Sequence, residues 1–361
     1  MMTPADEAEL CAMVAGAQAP LRVVGGGTRS FGKGERLSLS ALRGVEVYEP
    51  GALTLVARAG TPVVEVEALL AAEGQRLAFE PMDHRSLLGT TGEPTLGGMV
   101  AANVSGPRRV QAGACRDALL GVRFVDGRGQ VLRNGGRVMK NVTGYDLVKL
   151  MAGSRGMLGA LTEVSLKVLP GVETAVTLIL HGLDDRRAVA AMAAALGSPF
   201  EVTGAAHLPA RAGGPLTLLR LEGFSDSVCY RAGRLEALLS AFGEIEVEQG
   251  DARWADLRDV RLFAGSGRDV WRIVVKATEA PGLVARLPEG ARAFYDWGGG
   301  LVWAELPAGT DLSALGPFAG HARQVRGSGC GLSAHPPAIA ALTAALRAQF
   351  DPRGIFICDP A

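Results

Sequence analysis

The sequence predicts an α+β fold in two parts, and three observations predict it. Residues 1–170 are dense in glycine-rich turns set between short β-rich runs. Residues 171–361 differ in texture, alternating strands and helices. Within them, 174–249 follows the order strand–helix–strand–strand–helix–strand, a split βαβ unit that folds as an antiparallel sheet with helices on one face. The boundary falls near Pro170, where an alternating strand ends at a proline.

In the first part, PLRVVGGG is a short strand entering a loop, and 52–60 is a second strand. Residues 61–74 carry helical spacing, and Gly74 suits a C-terminal cap. MVAAN, after Gly97 and Gly98, is a small-residue helical stretch. Residues 118–136 form a hairpin about Asp126-Gly127-Arg128-Gly129. Residues 144–156 form a short helix, and 159–170 the alternating strand closed by Pro170. In the second part strands are expected at 174–181, 201–207, 215–222, 244–249, 269–276, 291–297 and 300–306. Helices are expected at 185–196, 226–241, 252–262 and 336–350.

The chain has 361 residues, with 37 basic and 37 acidic side chains. That balance argues against a broad nucleic-acid footprint. The N-terminus lacks the pattern of a secretory signal, and no apolar run reaches the roughly 18 residues of a membrane helix. Membrane association is therefore expected only peripherally or through partners, and the location cytoplasmic, at most at the inner membrane face. The five cysteines are isolated, with no Cys-x-x-Cys pair, so neither a cluster nor a structural zinc is expected.

VVGGGTRSFGKG, residues 23–34, suggests a nucleotide loop but fails two patterns. No amphipathic helix follows Gly27, as a Rossmann fingerprint needs, and Gly34 stands where a Walker motif needs Ser or Thr. What remains is either a plain glycine turn or a run of backbone N–H groups suited to an anion such as a pyrophosphate. The second glycine segment, TTGEPTLGGMVAANVSGPRR (90–109), offers close backbone approach at Gly97 and Gly98 and hydrogen bonds from Thr95 and Asn103. The third, residues 135–170, places Lys140, Asn141, Tyr145 and Asp146 before Gly153, Gly156 and Gly159.

In combination these segments resemble a known family. LGGMVAANVSGPRR, RDALLGVRFVDGRGQVLRNGGRVMKNVTGYDL, GSRGMLGALTEVSLKVLP and the C-terminal FDPRGIF are similar to the vanillyl-alcohol oxidase class with its PCMH-type FAD domain. Within that class they resemble the FAD-binding subunits of bacterial glycolate oxidases. The resemblance implies a two-subdomain PCMH-type FAD-binding domain over 1–170. An α+β cap over 171–361 would follow, serving substrate or partner, its C-terminal segment packing back on the FAD domain. It implies that Gly25, Gly26, Gly27, Thr28, Arg29 and Ser30, with Thr95, Leu96, Gly97 and Gly98, hold the pyrophosphate through backbone N–H groups. Asn103 would help to order the second loop, Ala101 would belong to the cofactor-binding set, and Pro81 and Met82 would lie near the dinucleotide. Gly153, Gly156 and Gly159 would close over the cofactor, and Leu161 and Val164 would lie along the adenine.

Two departures from the class bear on chemistry. Many members attach flavin through a His in the first loop, and residues 25–32 contain none, so the FAD is expected to be noncovalent. Catalytic subunits of the class carry a His-rich metal motif, whereas the histidines after residue 170 are far apart, so no metal is expected. The resemblance implies a glycolate oxidase complex with two partners, a paralogous FAD subunit bearing the metal motif and an iron–sulfur subunit. Electrons from a small 2-hydroxy acid, glycolate going to glyoxylate, would pass to the latter. A free-standing FAD oxidoreductase and a structural subunit without productive flavin are the alternatives. No residue is assigned to catalysis. His84, Arg108, Arg109, Tyr145 and His335 are possible bases or carboxylate-binding cations, and His84, Arg108, Arg109 and His335 each also have a plain structural explanation.

Overall fold

The computed structural model describes residues 1–29, 34–137, 144–209, 213–327 and 337–357. The chain separates into two compact units. The first comprises Met1–Ser105, Gly113–Gly171 and the segment Ala334–Asp359; the second comprises Gly106–Ala112 and Val172–Ser333.

The first unit is built on a five-stranded antiparallel sheet in the order Val45–Glu49, Thr54–Arg58, Ala160–Lys167, Leu119–Val125 and Val131–Gly135. The middle strand, Ala160–Lys167, is buried along most of its length, so it reads as an apolar run rather than a strict alternation. Beside the sheet, Leu21–Val24 pairs in parallel with Glu35–Ser38. These two strands share a core with Leu10 and Val14 of helix Glu7–Gly16 and with Phe356. Asp6 caps that helix by accepting the Glu9 N–H at 2.8 Å, a capping signal that the sequence reading passed over. The C-terminal helix Pro337–Phe350 leads into the turn at Asp351. There the carboxylate accepts the Ile355 and Phe356 N–H groups at 3.0 and 2.8 Å, and Phe350 lies 6.0 Å from Phe124, ring to ring.

The segment expected as a helix over 144–156 is helical only at Leu147–Met151. Asp146 caps its start, accepting the Lys149 N–H at 3.0 Å. Gly153 and Gly156 lie at φ +92° and +78°, in the left-handed region that ends a helix.

The second unit is an eight-stranded antiparallel sheet in the order Ile245–Gln249, Thr174–His181, Leu216–Gly223, Gly204–Leu208, Arg292–Asp296, Leu301–Leu306, Asp269–Val275 and Gly320–Arg326. Its first four strands are those of the split βαβ unit, in sequence rank 4-1-3-2. The halves join where His207 pairs with Tyr295. Helices Asp185–Leu196 and Ser225–Leu239 cover one face. Their Met192, Val228 and Leu235 pack with Leu178, Leu219, Ile273 and Val302 in one apolar core. Among the described residues no helix is long and apolar enough to cross a membrane.

Candidate functional site

The first glycine loop leaves strand Leu21–Val24 and runs directly against the second. A Cβ placed on Gly26 would lie 1.7 Å from the Glu93 carbonyl oxygen, and one on Gly92 would lie 1.7 Å from the Gly26 oxygen. The two main chains touch, and only glycine permits that approach. A Cβ on Gly25 would meet Thr95 Oγ1 at 2.1 Å. The Thr90 hydroxyl donates to the Thr28 carbonyl at 3.0 Å, and the Arg29 guanidinium donates to the Gly98 carbonyl. Loops 69 residues apart thus form one surface.

The third glycine segment joins the same surface. The Gly153 N–H donates to the Val100 carbonyl at 3.1 Å and the Arg155 N–H to the Ala101 carbonyl at 2.8 Å. These bonds tie the segment to the end of helix Leu96–Ala101, where the Val100 carbonyl also accepts the Asn103 N–H at 2.9 Å. Gly156 sits 3.2 Å, as its Cβ would, from Val23. Asn103, at φ +49°, accepts the Arg116 N–H at 3.0 Å through Oδ1, which holds the chain leaving that helix. Gly159 approaches the hairpin instead: its Cβ would lie 2.7 Å from the Val125 oxygen.

The two glycine loops differ in what they offer a ligand. The N–H groups of Gly25, Gly26, Gly27, Thr28 and Arg29 donate to no protein acceptor among the described residues. Five consecutive N–H groups without a partner are an anion site or an unpaid desolvation cost. In the second loop the N–H groups are already engaged. Leu96 donates to Thr61 O at 2.9 Å, Gly97 to Ala59 O at 2.7 Å and Gly98 to Thr95 Oγ1 at 3.3 Å. The second loop therefore packs against the first, and of the two only the first presents N–H groups without an acceptor among the described residues.

Arg29 is the half-buried cation of this surface. Burial, then the positive charge of Arg155, pulls its pKa down to about 10. The buried thiol of Cys115 is its other electrostatic neighbour, and burial pushes that thiol up. A guanidinium beside a second cation and a run of free N–H groups is a donor set for a diphosphate.

The remaining expected residues are placed as follows. Pro81 and Met82 are buried, after Glu80 at φ +52°. Leu161 and Val164 are buried in the central strand, where Val164 pairs with Ala57 and Val122. Ser30, Lys140, Asn141 and His335 lie outside the described residues. Tyr145 is 88% exposed, and His84 precedes a single helical turn, Arg85–Leu88. Arg108 and Arg109 belong to the second unit. There Arg108 makes a buried two-pronged bond to Glu222 at 2.9 and 2.7 Å, and Arg109 stacks over Trp297 at 4.6 Å. Gly92, Arg155 and Trp297 were not singled out from the sequence. Gly92 stood inside a motif already read, but nothing local marks the other two. Among the described residues no group of three His, Cys, Asp or Glu side chains could hold a metal ion.

Comparison with known proteins agrees with this geometry. Residues 1–135 match the FAD binding domain family model. The glycolate oxidase subunit GlcE of Escherichia coli (strain K12) is 34% identical over 344 residues, covering 93% of this chain and 91% of that protein. The similarity to the glycolate oxidase subunit GlcD of Bacillus subtilis (strain 168) is partial. It is 34% identical over 134 residues, covering 37% of this chain and 27% of that one. A D-lactate dehydrogenase of Anaerostipes hadrus is 32% identical over 155 residues, covering 43% and 31%. An alkyldihydroxyacetonephosphate synthase shares the fold, with TM-score 0.70 at 18% identity over 98% of this chain and 76% of that structure. With end-to-end similarity to one of these proteins and the FAD domain in place, the chain belongs to the family of the glycolate oxidase subunit GlcE, FAD-dependent oxidoreductases of the PCMH-type fold.

Proposed function

We propose that the protein is the FAD-binding subunit of a glycolate oxidase complex, taking part in the oxidation of glycolate to glyoxylate and passing electrons to an iron–sulfur partner. A paralogous FAD subunit of the GlcD kind is the second partner. The observation that carries the reading is the likeness to GlcE over nearly the full length of both chains. The partial likeness to GlcD and to a D-lactate dehydrogenase supports a shared cofactor and substrate class.

The first unit is the FAD-binding domain, and the second is the cap that meets substrate or partner. The N–H groups of Gly25–Arg29 and the Arg29 guanidinium hold the pyrophosphate, because among the described residues neither has an anionic protein partner. Thr95, Leu96, Gly97, Gly98, Ala101 and Asn103 act through the first loop, by packing it and fixing its depth. Gly153 and Gly156 brace the same surface, and Pro81, Met82, Leu161 and Val164 line the dinucleotide. Gly159 sets the turn into the central strand. When bound, the flavin accepts two electrons from the hydroxy-acid carbon and releases them to the next carrier. The protein's share is to bind it without a covalent bond and to keep its phosphates neutralised.

Anaerobic spectroscopy tests the reading. Purified protein should be yellow, and glycolate should bleach it once the partner subunits are present. Protein that takes up no FAD would overturn it. Bleaching by glycolate without partners would favour a free-standing enzyme instead.

A further inference from the structure

Strand Asp269–Val275 sends Trp271, Ile273 and Val275 into the helix-covered core. Arg272 therefore points to the opposite face, level with Trp303 and Arg323 on the flanking strands. Its guanidinium lies 4.9 Å from the centre of the Trp297 ring, and that of Arg109 lies 4.6 Å from the same ring. Among the described residues the Arg272 side chain makes no hydrogen bond and no ion pair. Its charged neighbours are Arg109, which opposes its charge, and Asp296, which supports it. Burial is the larger influence, and together they bring its pKa down to about 10.

Trp297 is held with unusual care for a stacking residue. Its backbone sits at φ +54°, a strained conformation for a bulky side chain. The next two positions, Gly298 and Gly299, are also left-handed, and a Cβ on Gly298 would lie 2.4 Å from Leu196. Asp296 Oδ1 accepts the Trp297 N–H at 2.7 Å, and the indole N–H donates to the Gly106 carbonyl at 3.0 Å. Strain kept in place by this many contacts is a mark of a binding site.

We propose that Arg272, seated on Trp297 in the second unit, binds the carboxylate of a small 2-hydroxy acid. The planar fork of arginine matches a carboxylate in two parallel bonds, and stacking on the indole fixes the plane of that fork. A half-buried guanidinium with no bonded partner gains those bonds only when the acid arrives. The inference rests on the protein acting on hydroxy acids, and it supplies the specificity residue that the sequence left unassigned.

The test is calorimetric titration of the FAD-loaded full-length protein under anaerobic conditions, with glycolate and with its neutral isostere glycolamide. Glycolate should bind, and glycolamide at least about tenfold more weakly. Arg272→Gln should lose about the same factor for glycolate while FAD content and melting temperature stay put. Should Arg272→Gln fail to fold, Arg272→Lys takes its place: it keeps the charge, lacks the fork and should still bind more weakly than the parent. Unchanged glycolate affinity in a folded variant, or equal binding of glycolamide, overturns the proposal. If the complex still bleaches with glycolate in that case, the proposed function stands and only the carboxylate site is lost. A complex that never bleaches would instead remove the function reading.

Discussion

Gly26, Gly97 and Gly98 look alike in the sequence, yet the structure gives each a different task. Gly26 is pressed against the Glu93 carbonyl. Gly97 is pressed against Ala59, where a Cβ would fall 2.7 Å from the alanine methyl. Only Gly98 borders the Arg29 guanidinium, 3.6 Å from where its Cβ would be. A side chain at Gly97 therefore tests helix packing, and one at Gly26 tests whether the two loops can close. Gly26→Ala should destabilise the protein by about 1–3 kcal/mol or more, since backbone must move to admit the methyl. It should also lower FAD occupancy after purification. Gly51→Ala, with nothing within 4 Å of its Cβ, should change stability by no more than about 0.5 kcal/mol. Thermal melting and flavin absorbance of both variants check this, and equal occupancy in Gly26→Ala would show that the loops do not need that contact. The glycine pattern made legible which segments come together. Which glycine touches what depends on contacts between segments far apart in sequence, and no local spacing encodes them.

Elements with a strong period were legible in the same way. Strand Thr174–His181 and helix Asp185–Leu196 fall where alternation and helical spacing put them. Strands Glu35–Ser38 and Gly320–Arg326 were not foreseen. Both carry charged residues through the strand, and neither has a clean alternation to read. Helix Asp185–Leu196 also shows a tie that pattern cannot reveal. Asp185, in its first turn, accepts the Tyr295 hydroxyl at 2.5 Å and faces buried His207 at 3.4 Å. Burial alone would raise the Asp185 carboxyl; the His207 and Tyr295 contacts outweigh it and hold it below its ordinary value. The folded protein then binds this proton less readily than the unfolded chain. The resulting stability is complete above the unfolded value of about 3.9 and drains away as pH falls through the folded one. Between pH 6 and pH 3, melting temperature should fall more steeply for the parent protein than for Asp185→Asn. Parallel curves would mean that this carboxylate contributes nothing to acid sensitivity.

At the scale of the whole molecule, fold and chemistry are carried by different amounts of sequence. The architecture persists at 18% identity to an alkyldihydroxyacetonephosphate synthase, so the two antiparallel sheets by themselves do not decide a reaction. The cofactor belongs to the family, and the manner of holding it belongs to this chain. Covalent attachment needs a nucleophile beside the flavin, and the described part of the first loop has neither His nor Cys. The thiol nearest to Arg29 in electrostatic terms is Cys115, which is fully buried. Burial raises it well above the ordinary thiol range, and a thiol that stays protonated is a poor nucleophile. On the proposed reading, backbone donors and the Arg29 guanidinium hold the pyrophosphate, and unfolding removes both. Precipitation with trichloroacetic acid should leave a colourless pellet and put all the FAD in the supernatant. A yellow pellet would overturn noncovalent binding, and a Cys115→Ser variant would show whether that thiol is the anchor, since its pellet would then lose the colour.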